Sequence, residues 1–266
     1  MPSWESFIAY GTTVNQETEQ LAVLAPTSLR VNDKEVWGEA KLTHLMSLVS
    51  TDDVNHVYVV PPGYHDSSGV EVPLITRYSA TGSFDISKAK LPRPVPLTPN
   101  ETLAVYAQSE TAANSVCFVW GRIEYSGKGQ YAKQGGVGMT TRACTAAGAL
   151  TSVVEAAGTA ISGLQANRKY QIAGIMGVGV SGQTAGILGP AFVRFDGGNH
   201  DGCKAFLPLP NSANYVATGG GAWLDLDKAD ISMPIFGGAN TITPYFLSYT
   251  AEQPAGRVLL NTDKTY

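Results

Sequence analysis

The chain has 266 residues, with 18 lysines and arginines against 22 aspartates and glutamates, and a formal net charge of −4. A hydrophobic content of 44% excludes a disordered chain, and the apolar runs are too short to predict a membrane-spanning helix. Charged residues make up 15% of the chain, where a soluble domain usually has about 25%. Either neutral loops cover the surface or other subunits cover part of it, because interface cores are depleted in charge.

The predicted elements are almost all strands. Short β-branched and aromatic runs, separated by Gly, Pro and Asn turns, are typical of a sandwich or a barrel. The strand–helix alternation of a parallel sheet is missing. In chain order the predicted strands are His56–Val60, Val70–Tyr78, Glu101–Gln108, Ser115–Tyr125, Tyr170–Val180, Ala191–Phe195, Ala222–Leu226, Ile231–Phe236 and Thr241–Thr250.

Two stretches have apolar spacings that suit a helix. Asn32 or Asp33 could cap the first, Lys34–Val49, whose apolar residues fall near one helical face. The second, Leu150–Leu164, has a similar spacing, but glycines such as Gly158 interrupt it and it suits a strand equally well. We therefore predict a helix for the first stretch and leave both interpretations open for the second.

The cysteines predict buried thiols rather than a metal or redox site. The chain has an odd number of cysteines, which lie far apart and form no C-x-x-C pair: Cys117, Cys144 and Cys203. So few unpaired cysteines suit a protein made in a reducing compartment. The first residues also lack the basic and apolar pattern of a secretory signal. Cys117 lies inside an apolar strand and is expected to be buried.

Other motifs predict no chemistry. Gly177–Gly182 matches the dinucleotide pattern G-x-G-x-x-G, but no helix can follow it, so we predict a hairpin loop. His65 and His200 lack the spacing of metal ligands. Asp225 and Asp227 are expected to lie on one solvated strand face. The sequence therefore predicts no catalytic residue, no cofactor and no metal site.

The order of the predicted strands repeats along the chain. In each half a buried strand is followed by a second strand, an L-P-x-P segment, an alternating strand and a long aromatic strand. Any all-β protein could produce such a pattern; on the duplication reading, Ser126–Gln130 links a domain of residues 1–127 to one of residues 128–266. The matched landmarks are Tyr58 with Ile172, Pro92 with Pro208 and Trp120 with Phe246.

The paired segments His56–Tyr125 and Lys169–Gln253, about 60% of the chain, resemble the double jelly-roll major capsid proteins of tailless icosahedral viruses. The resemblance lies in architecture and not in a signature motif. It implies an all-β fold of two tandem sandwich or jelly-roll domains with few short helices. It also implies a capsid subunit without enzymatic activity that self-assembles as a homotrimer, with six barrels forming a pseudo-hexagonal block.

The same resemblance implies partners and a location. The partners are other copies of the chain and other virion proteins, and the protein belongs in the virion after synthesis in the host cytoplasm. An arginine-rich arm is missing, since the first 30 residues hold a single Arg, so no sequence-specific nucleic acid binding is expected. The chain is also short for that family.

Aromatic residues supply the candidate contact sites. Tyrosine is enriched at interfaces, so Tyr64, Tyr131, Tyr215 and Tyr266 are the predicted subunit contacts. The alternative function is a carbohydrate-binding β-sandwich, either lectin-like or a phage tail or decoration protein, with aromatic rings stacking on sugars. Of the tryptophans that could serve it, those at 120 and 223 lie in strand patterns and are expected in the core.

Overall fold

The structure is a computed structural model, and nineteen strands and one 3₁₀ turn make up the regular elements of its described residues. Within this part of the chain, no helix is long and apolar enough to cross a membrane. The described residues are 4–14, 19–25, 40–49, 54–60, 70–71, 74–77, 89–97, 103–110, 115–125, 131–147, 155–180, 191–200, 205–209, 223–248 and 254–263.

The first half of the chain forms two sheets. The first large sheet has the order β3-β1-β10-β4-β7, with β8 also paired to β4, and the first small sheet has the order β2-β9-β5-β6. The strands are β1 (Trp4–Val14), β2 (Glu19–Gln20), β3 (Ala22–Ala25), β4 (Ala40–Val49), β5 (Val54–Val60), β6 (Val70–Glu71), β7 (Leu74–Arg77), β8 (Lys90–Leu97), β9 (Ala104–Ser109) and β10 (Ser115–Tyr125).

The second half also forms two sheets. The second large sheet has the order β11-β19-β13-β16, with β17 also paired to β13, and the second small sheet has the order β12-β18-β14-β15. The strands are β11 (Gly138–Thr145), β12 (Ala156–Ala157), β13 (Lys169–Val180), β14 (Ala191–Asp196), β15 (Leu207–Leu209), β16 (Trp223–Asp225), β17 (Ile235–Gly237), β18 (Thr243–Ser248) and β19 (Pro254–Thr262).

Both halves share one strand connectivity. With β3, β7 and β17 set aside, each half has eight strands, which we number from one to eight along its chain. In both halves the large sheet has the order 1-8-3-6 and the small sheet the order 2-7-4-5. All of these pairings are antiparallel. Eight antiparallel strands in two such sheets form a jelly roll, so the chain contains the same jelly-roll order twice.

Two hydrophobic clusters fill the molecule. One lies between the two sheets of the first half and includes Phe7, Val57 and Val119, all at most 1% exposed. The other lies between the two sheets of the second half and includes Val193 and Val258, with residues of the first half joined to it. The predicted all-β sandwich fold is therefore confirmed.

The division into domains at residues 127 and 128 stays a prediction, because residues 126–130 lie outside the described part. Two observations bear on it in opposite directions. Strand pairing among the described residues stays within each half, since β10 ends at Tyr125 and β11 begins at Gly138. Hydrophobic packing crosses from one half to the other.

The helix predicted over Lys34–Val49 is wrong for its described part, which is strand β4. The side chains from Leu42 to Ser47 are all buried, because both faces of β4 are covered. A strand buried on both faces loses the period-two pattern and can be mistaken for a helix. In the second ambiguous stretch, Ala156–Ala157 is a strand and Ile161 forms an isolated bridge.

Candidate functional site

The outward face of the first large sheet, on the side away from the first small sheet, is buried. Its side chains Trp4, Ile8, Met46, Phe118 and Trp120 are each at most 1% exposed and belong to the core cluster of the second half. The opposite face of the same sheet lines the core of the first half. We call the contact between this outward face and the second half the seam.

Two tryptophans hydrogen-bond across the seam. Trp120 Nε1 donates to the carbonyl oxygen of Phe206 at 2.7 Å, and Trp4 Nε1 donates to that of Ser232 at 3.1 Å. An indole N–H buried without an acceptor would be costly, so each ring requires a carbonyl at a fixed position. The two rings therefore bury apolar area, and their hydrogen bonds fix the position of the second half on the sheet.

Arg122 supplies a third donor to the seam. Its Nη1 donates to the carbonyl oxygen of Asp230 at 2.7 Å, its Nη2 lies 2.6 Å from Oε1 of Glu124, and its guanidinium lies 5.1 Å from the ring centroid of Trp4. Burial lowers the pKa of Arg122 from its ordinary value, and the charges of Glu124 and Asp230 oppose that shift. Arginine stays charged at any ordinary pH, so the seam contains a paired, buried cation.

His44 supplies the fourth donor. Its Nε2 lies 2.9 Å from the carbonyl oxygen of Ala229, and its Nδ1 lies 3.0 Å from Oγ1 of Thr43. Burial, followed by the charge of Arg122, lowers the pKa of His44 from 6.5 to about 4. The ring is therefore neutral near pH 7, and the carbonyl partner assigns its proton to Nε2.

Asp230 lies at the edge of the seam. Its carboxylate accepts a hydrogen bond from Lys90 Nζ at 2.8 Å, which lowers the pKa of Asp230. Its backbone has φ of 55°, a left-handed conformation that Asp tolerates better than most residues. This conformation lies in the turn that presents the carbonyls of Ala229 and Asp230 to the first half.

The outward face of the second large sheet is exposed, unlike its counterpart in the first half. Trp223 is 40% exposed and Met139 is 67% exposed. The position of a Cβ on Gly174 would lie 3.5 Å from Trp223 Cε3 and 3.6 Å from Leu259 Cβ, so these groups form one continuous surface. We call this surface the open face; its residues are Met139, Thr141, Ala143, Gly174, Met176, Trp223, Asp225, Arg257 and Leu259.

The outward face of the first small sheet carries a row of aromatic rings. The rings of Tyr58 and Tyr106 stack at 5.1 Å between centroids, and His56 lies 5.0 Å from Tyr58. The residues between them along the strands, such as Val57 and Val105, point into the core of the first half. We call this surface the aromatic face; it consists of His56, Tyr58, Val60, Ala104, Tyr106 and Gln108.

The predicted interface tyrosines are mostly beyond the described residues. Tyr64, Tyr215 and Tyr266 lie outside them. Tyr131 is half-buried and packs against the core cluster of the second half. The role of these tyrosines in subunit contacts stays a prediction.

Three other expectations are corrected. Trp223 is not in the core, because its neighbour Leu224 points inward instead. Asp225 and Asp227 do not share a strand face: β16 ends at Asp225, whose carboxylate accepts the backbone N–H of Asp227. Of the predicted loop Gly177–Gly182, the segment Gly177–Val180 is instead the end of strand β13, in agreement with the predicted strand Tyr170–Val180, and residues 181 and 182 lie outside the described part.

The remaining candidate groups of the sequence are the histidines, the cysteines and the possible metal ligands. No group of three His, Cys, Asp or Glu residues there could hold a metal ion. Cys117 is buried as predicted, and burial raises the pKa of the Cys144 thiol to about 12, which disfavours the reactive thiolate. His65 and Cys203 lie outside the described residues, and His200 is buried between the rings of Phe195 and Phe236.

A small polar cavity lies within the second half, next to Ser232, whose carbonyl accepts the hydrogen bond from Trp4. Its volume is about 30 Å³, and Lys133, Gln134, Gln171, Asp227 and Ser232 are among the residues that line it. Such a volume accommodates about one water molecule. This cavity is too small for a substrate, whereas the open face and the aromatic face present exposed side chains to a partner.

No protein-family model and no curated protein matches the sequence. Among solved structures, the chain shows a weak similarity to the major capsid protein P2 from bacteriophage PM2, with 11% sequence identity. The match covers 99% of this chain and 98% of that one, with a TM-score of 0.25. A likeness at that score carries no weight, so a functional assignment has to rest on the strand order and the surfaces of the chain itself.

Proposed function

We propose that the chain is a capsid subunit that self-assembles into a shell, with a homotrimer as its building unit. The observation that carries the proposal is the jelly-roll order found twice in one chain, 1-8-3-6 and 2-7-4-5 in both halves. Jelly rolls recur in viral capsid proteins and in lectins. Two of them fixed together by a hydrogen-bonded seam make a rigid block suited to tiling.

The composition of the surface supports an assembly role. The accessible surface is 11716 Å², which gives one charged residue per ~290 Å². The open face includes two of the exposed large hydrophobic residues of the described part, Met139 and Trp223, and it carries only Arg257 and Asp225 as charged residues. A sparsely charged surface with an apolar sheet face suits contacts between subunits.

On this proposal the protein is located in the virion after synthesis in the host cytoplasm, and its partners are other copies and other virion proteins. It acts without catalysis and without a cofactor. It makes no sequence-specific contact with nucleic acid. Its subunit contacts depend on apolar area rather than on screened charge pairs.

The oligomeric state tests the proposal. Light scattering coupled to size exclusion should give about 84 kDa for a trimer of the 28.0 kDa chain, at both low and high salt. Electron microscopy of concentrated material should show closed shells or sheets of uniform blocks. A chain that stays monomeric at high concentration in both salts would contradict the proposal.

The aromatic face favours a second candidate function, carbohydrate binding. Stacked Tyr58 and Tyr106 rings beside His56 and Gln108 offer apolar and hydrogen-bonding groups of the kind that sugars contact. A glycan array probed with the wild-type protein distinguishes the two functions. Saturable binding to a glycan by a monomeric protein would favour the lectin-like function.

A further inference from the structure

The seam within one chain is a contact between two specific sheet faces. One is the outward face of the first large sheet, with Phe118 and Trp120. The other includes the outward face of the second small sheet, where Phe192 is fully buried and its ring lies 6.0 Å from that of Phe118. Trp120 also donates to the carbonyl of Phe206, just before β15 of the same sheet. A large sheet of one jelly roll therefore packs on a small sheet of the next.

Because both halves have the same strand order, each has a large and a small sheet with an outward face. The seam uses the large-sheet face of the first half and, from the second half, the small-sheet face together with the connection between β16 and β17 that carries Ala229, Asp230 and Ser232. The two faces left over are the open face, on the second large sheet, and the aromatic face, on the first small sheet. They are the same kind of pair that packs together in the seam.

We propose that the open face of one copy binds the aromatic face of the next copy, repeating between chains the contact that the seam makes within a chain. This inference depends on the proposed function and names the surfaces that assembly uses. The contact is head-to-tail, because each copy offers a different face to each neighbour. Head-to-tail contacts close into a ring when the rotation per step divides a full turn. Alternating jelly rolls would then surround the ring axis.

The two faces match in chemistry. On the open face Met176, Leu259 and Trp223 present apolar groups, and on the aromatic face the rings of Tyr58 and Tyr106 do so. Tyrosine on one side and methionine and tryptophan on the other are types enriched in protein interfaces. The single cation of the open face, Arg257, can lie over a tyrosine ring, as Arg194 lies 4.2 Å from the centroid of Tyr245 on the second small sheet.

The area of the faces limits the strength of each contact. On the aromatic face the long strands are β5 and β9, whereas β2 and β6 have two residues each. Two strands about 4.8 Å apart and about six residues long, at about 3.4 Å per residue, give a face of roughly 200 Å². A contact of that size is smaller than an interface of standard size, so a single contact is weak and the ring needs both contacts of each copy.

Two charge insertions test the pairing. Ala143→Glu places a carboxylate on the open face, and His56→Glu places one on the aromatic face; both residues are exposed in a single chain. Each variant should remain folded and lose the trimer at concentrations where the wild type is fully trimeric. The concentration at which the trimer half-dissociates should rise at least tenfold. The matched control is Ser162→Glu, exposed and on neither face, which should leave the trimer mass unchanged.

Mixing the two variants gives the sharper test. The Ala143→Glu copy retains an intact aromatic face, and the His56→Glu copy retains an intact open face. One contact can form between them and no ring can close, so a 1:1 complex of about 56 kDa should appear on mixing at high concentration. Each variant alone should remain monomeric. If melting shows that either variant fails to fold, Thr141→Glu and Tyr58→Glu test the same faces.

The outcomes separate the two proposals. A monomeric wild type would overturn the proposed function and this inference with it. A trimeric wild type whose mass neither variant changes would overturn only the assignment of the surfaces. Homodimers of either variant, or failure of the mixture to form the 1:1 complex, would overturn the head-to-tail pairing. Glycan binding that His56→Glu abolishes, with the trimer intact, would assign the aromatic face to a carbohydrate instead.

Discussion

The two large sheets have the same strand order but opposite surroundings on their outward faces. In the first half this face carries Trp4, Phe118 and Trp120 and is buried in the seam. In the second half it carries Ala143 and Trp223, both exposed to solvent. The covered face holds several large rings and two indole donors, whereas the open face holds one large ring, Trp223, among smaller or flexible side chains. The difference shows that one connectivity can serve both an internal contact and an external surface.

Removing one tryptophan from each face should give the largest contrast. Trp120→Ala deletes a fully buried ring and its hydrogen bond to Phe206, and should lower the free energy of unfolding by about 3–5 kcal/mol. Trp223→Ala should cost only about 1 kcal/mol, because the ring is 40% exposed. Urea unfolding of both variants measures the difference. Equal costs would contradict the assignment of one face as buried and the other as open.

Acid should weaken the seam through His44. Its pKa is about 4 in the folded chain against an ordinary 6.5, so between these values the unfolded chain binds a proton that the folded chain does not. Stability should therefore fall as the pH drops from 6.5 towards 4, by about 2 kcal/mol at pH 4.5 from this residue alone.

The variant His44→Gln isolates that effect, since glutamine can donate to the Ala229 carbonyl but does not titrate. At pH 7 the variant should be about 1 kcal/mol less stable than the wild type, because a glutamine amide reproduces the hydrogen bond of the imidazole to Ala229 less well. Urea unfolding at several pH values should show this deficit shrinking or reversing at pH 4.5. A constant difference across the pH range would mean that His44 does not set the acid response.

The smallest effect is expected at the edge of the seam. The side chains of Lys90 and Asp230 are 54% and 42% exposed, and exposed ion pairs contribute less than about 1 kcal/mol. Lys90→Gln should therefore change the unfolding free energy little, and added salt should reduce the change further. A loss as large as that of Trp120→Ala would show that this pair, and not the buried rings, holds the halves together.

Much of the fold can be predicted from the sequence, because many of its strands have a clear local pattern. The predicted strand Ser115–Tyr125 coincides with β10, and Ala191–Phe195 differs from β14 by one residue. Strands β1 and β19 are absent from the predicted elements, although each pairs with a strand on both sides in its large sheet. In β1, Phe7, Ile8 and Ala9 are all buried, so no alternation marks the strand.

The functional surfaces are harder to predict. Burial of Trp120 follows from its apolar neighbours, but Trp223 has a similar strand pattern and is exposed. The two differ only in what covers them, which depends on contacts distant in sequence. Arg122 carries a usable local signal, because a charge in the middle of an apolar strand requires a buried partner. The carbonyl to which it donates, that of Asp230, carries no sequence signal.

Among the described residues, the four buried donors of the seam are side chains of the first half, and each finds a backbone carbonyl of the second half as its acceptor across the seam. The acceptor is a side chain only at the exposed edge, where Lys90 donates to the carboxylate of Asp230. Backbone carbonyls persist whichever residue supplies them. Substitutions at Ala229, Ser232 or Phe206 therefore keep the hydrogen bonds as long as the backbone path is unchanged. Substitutions at Trp4 or Trp120 remove the donors themselves. A mutational scan should thus find the two sides of one contact unequal, with the first half restrictive in residue type and the second constrained mainly in shape.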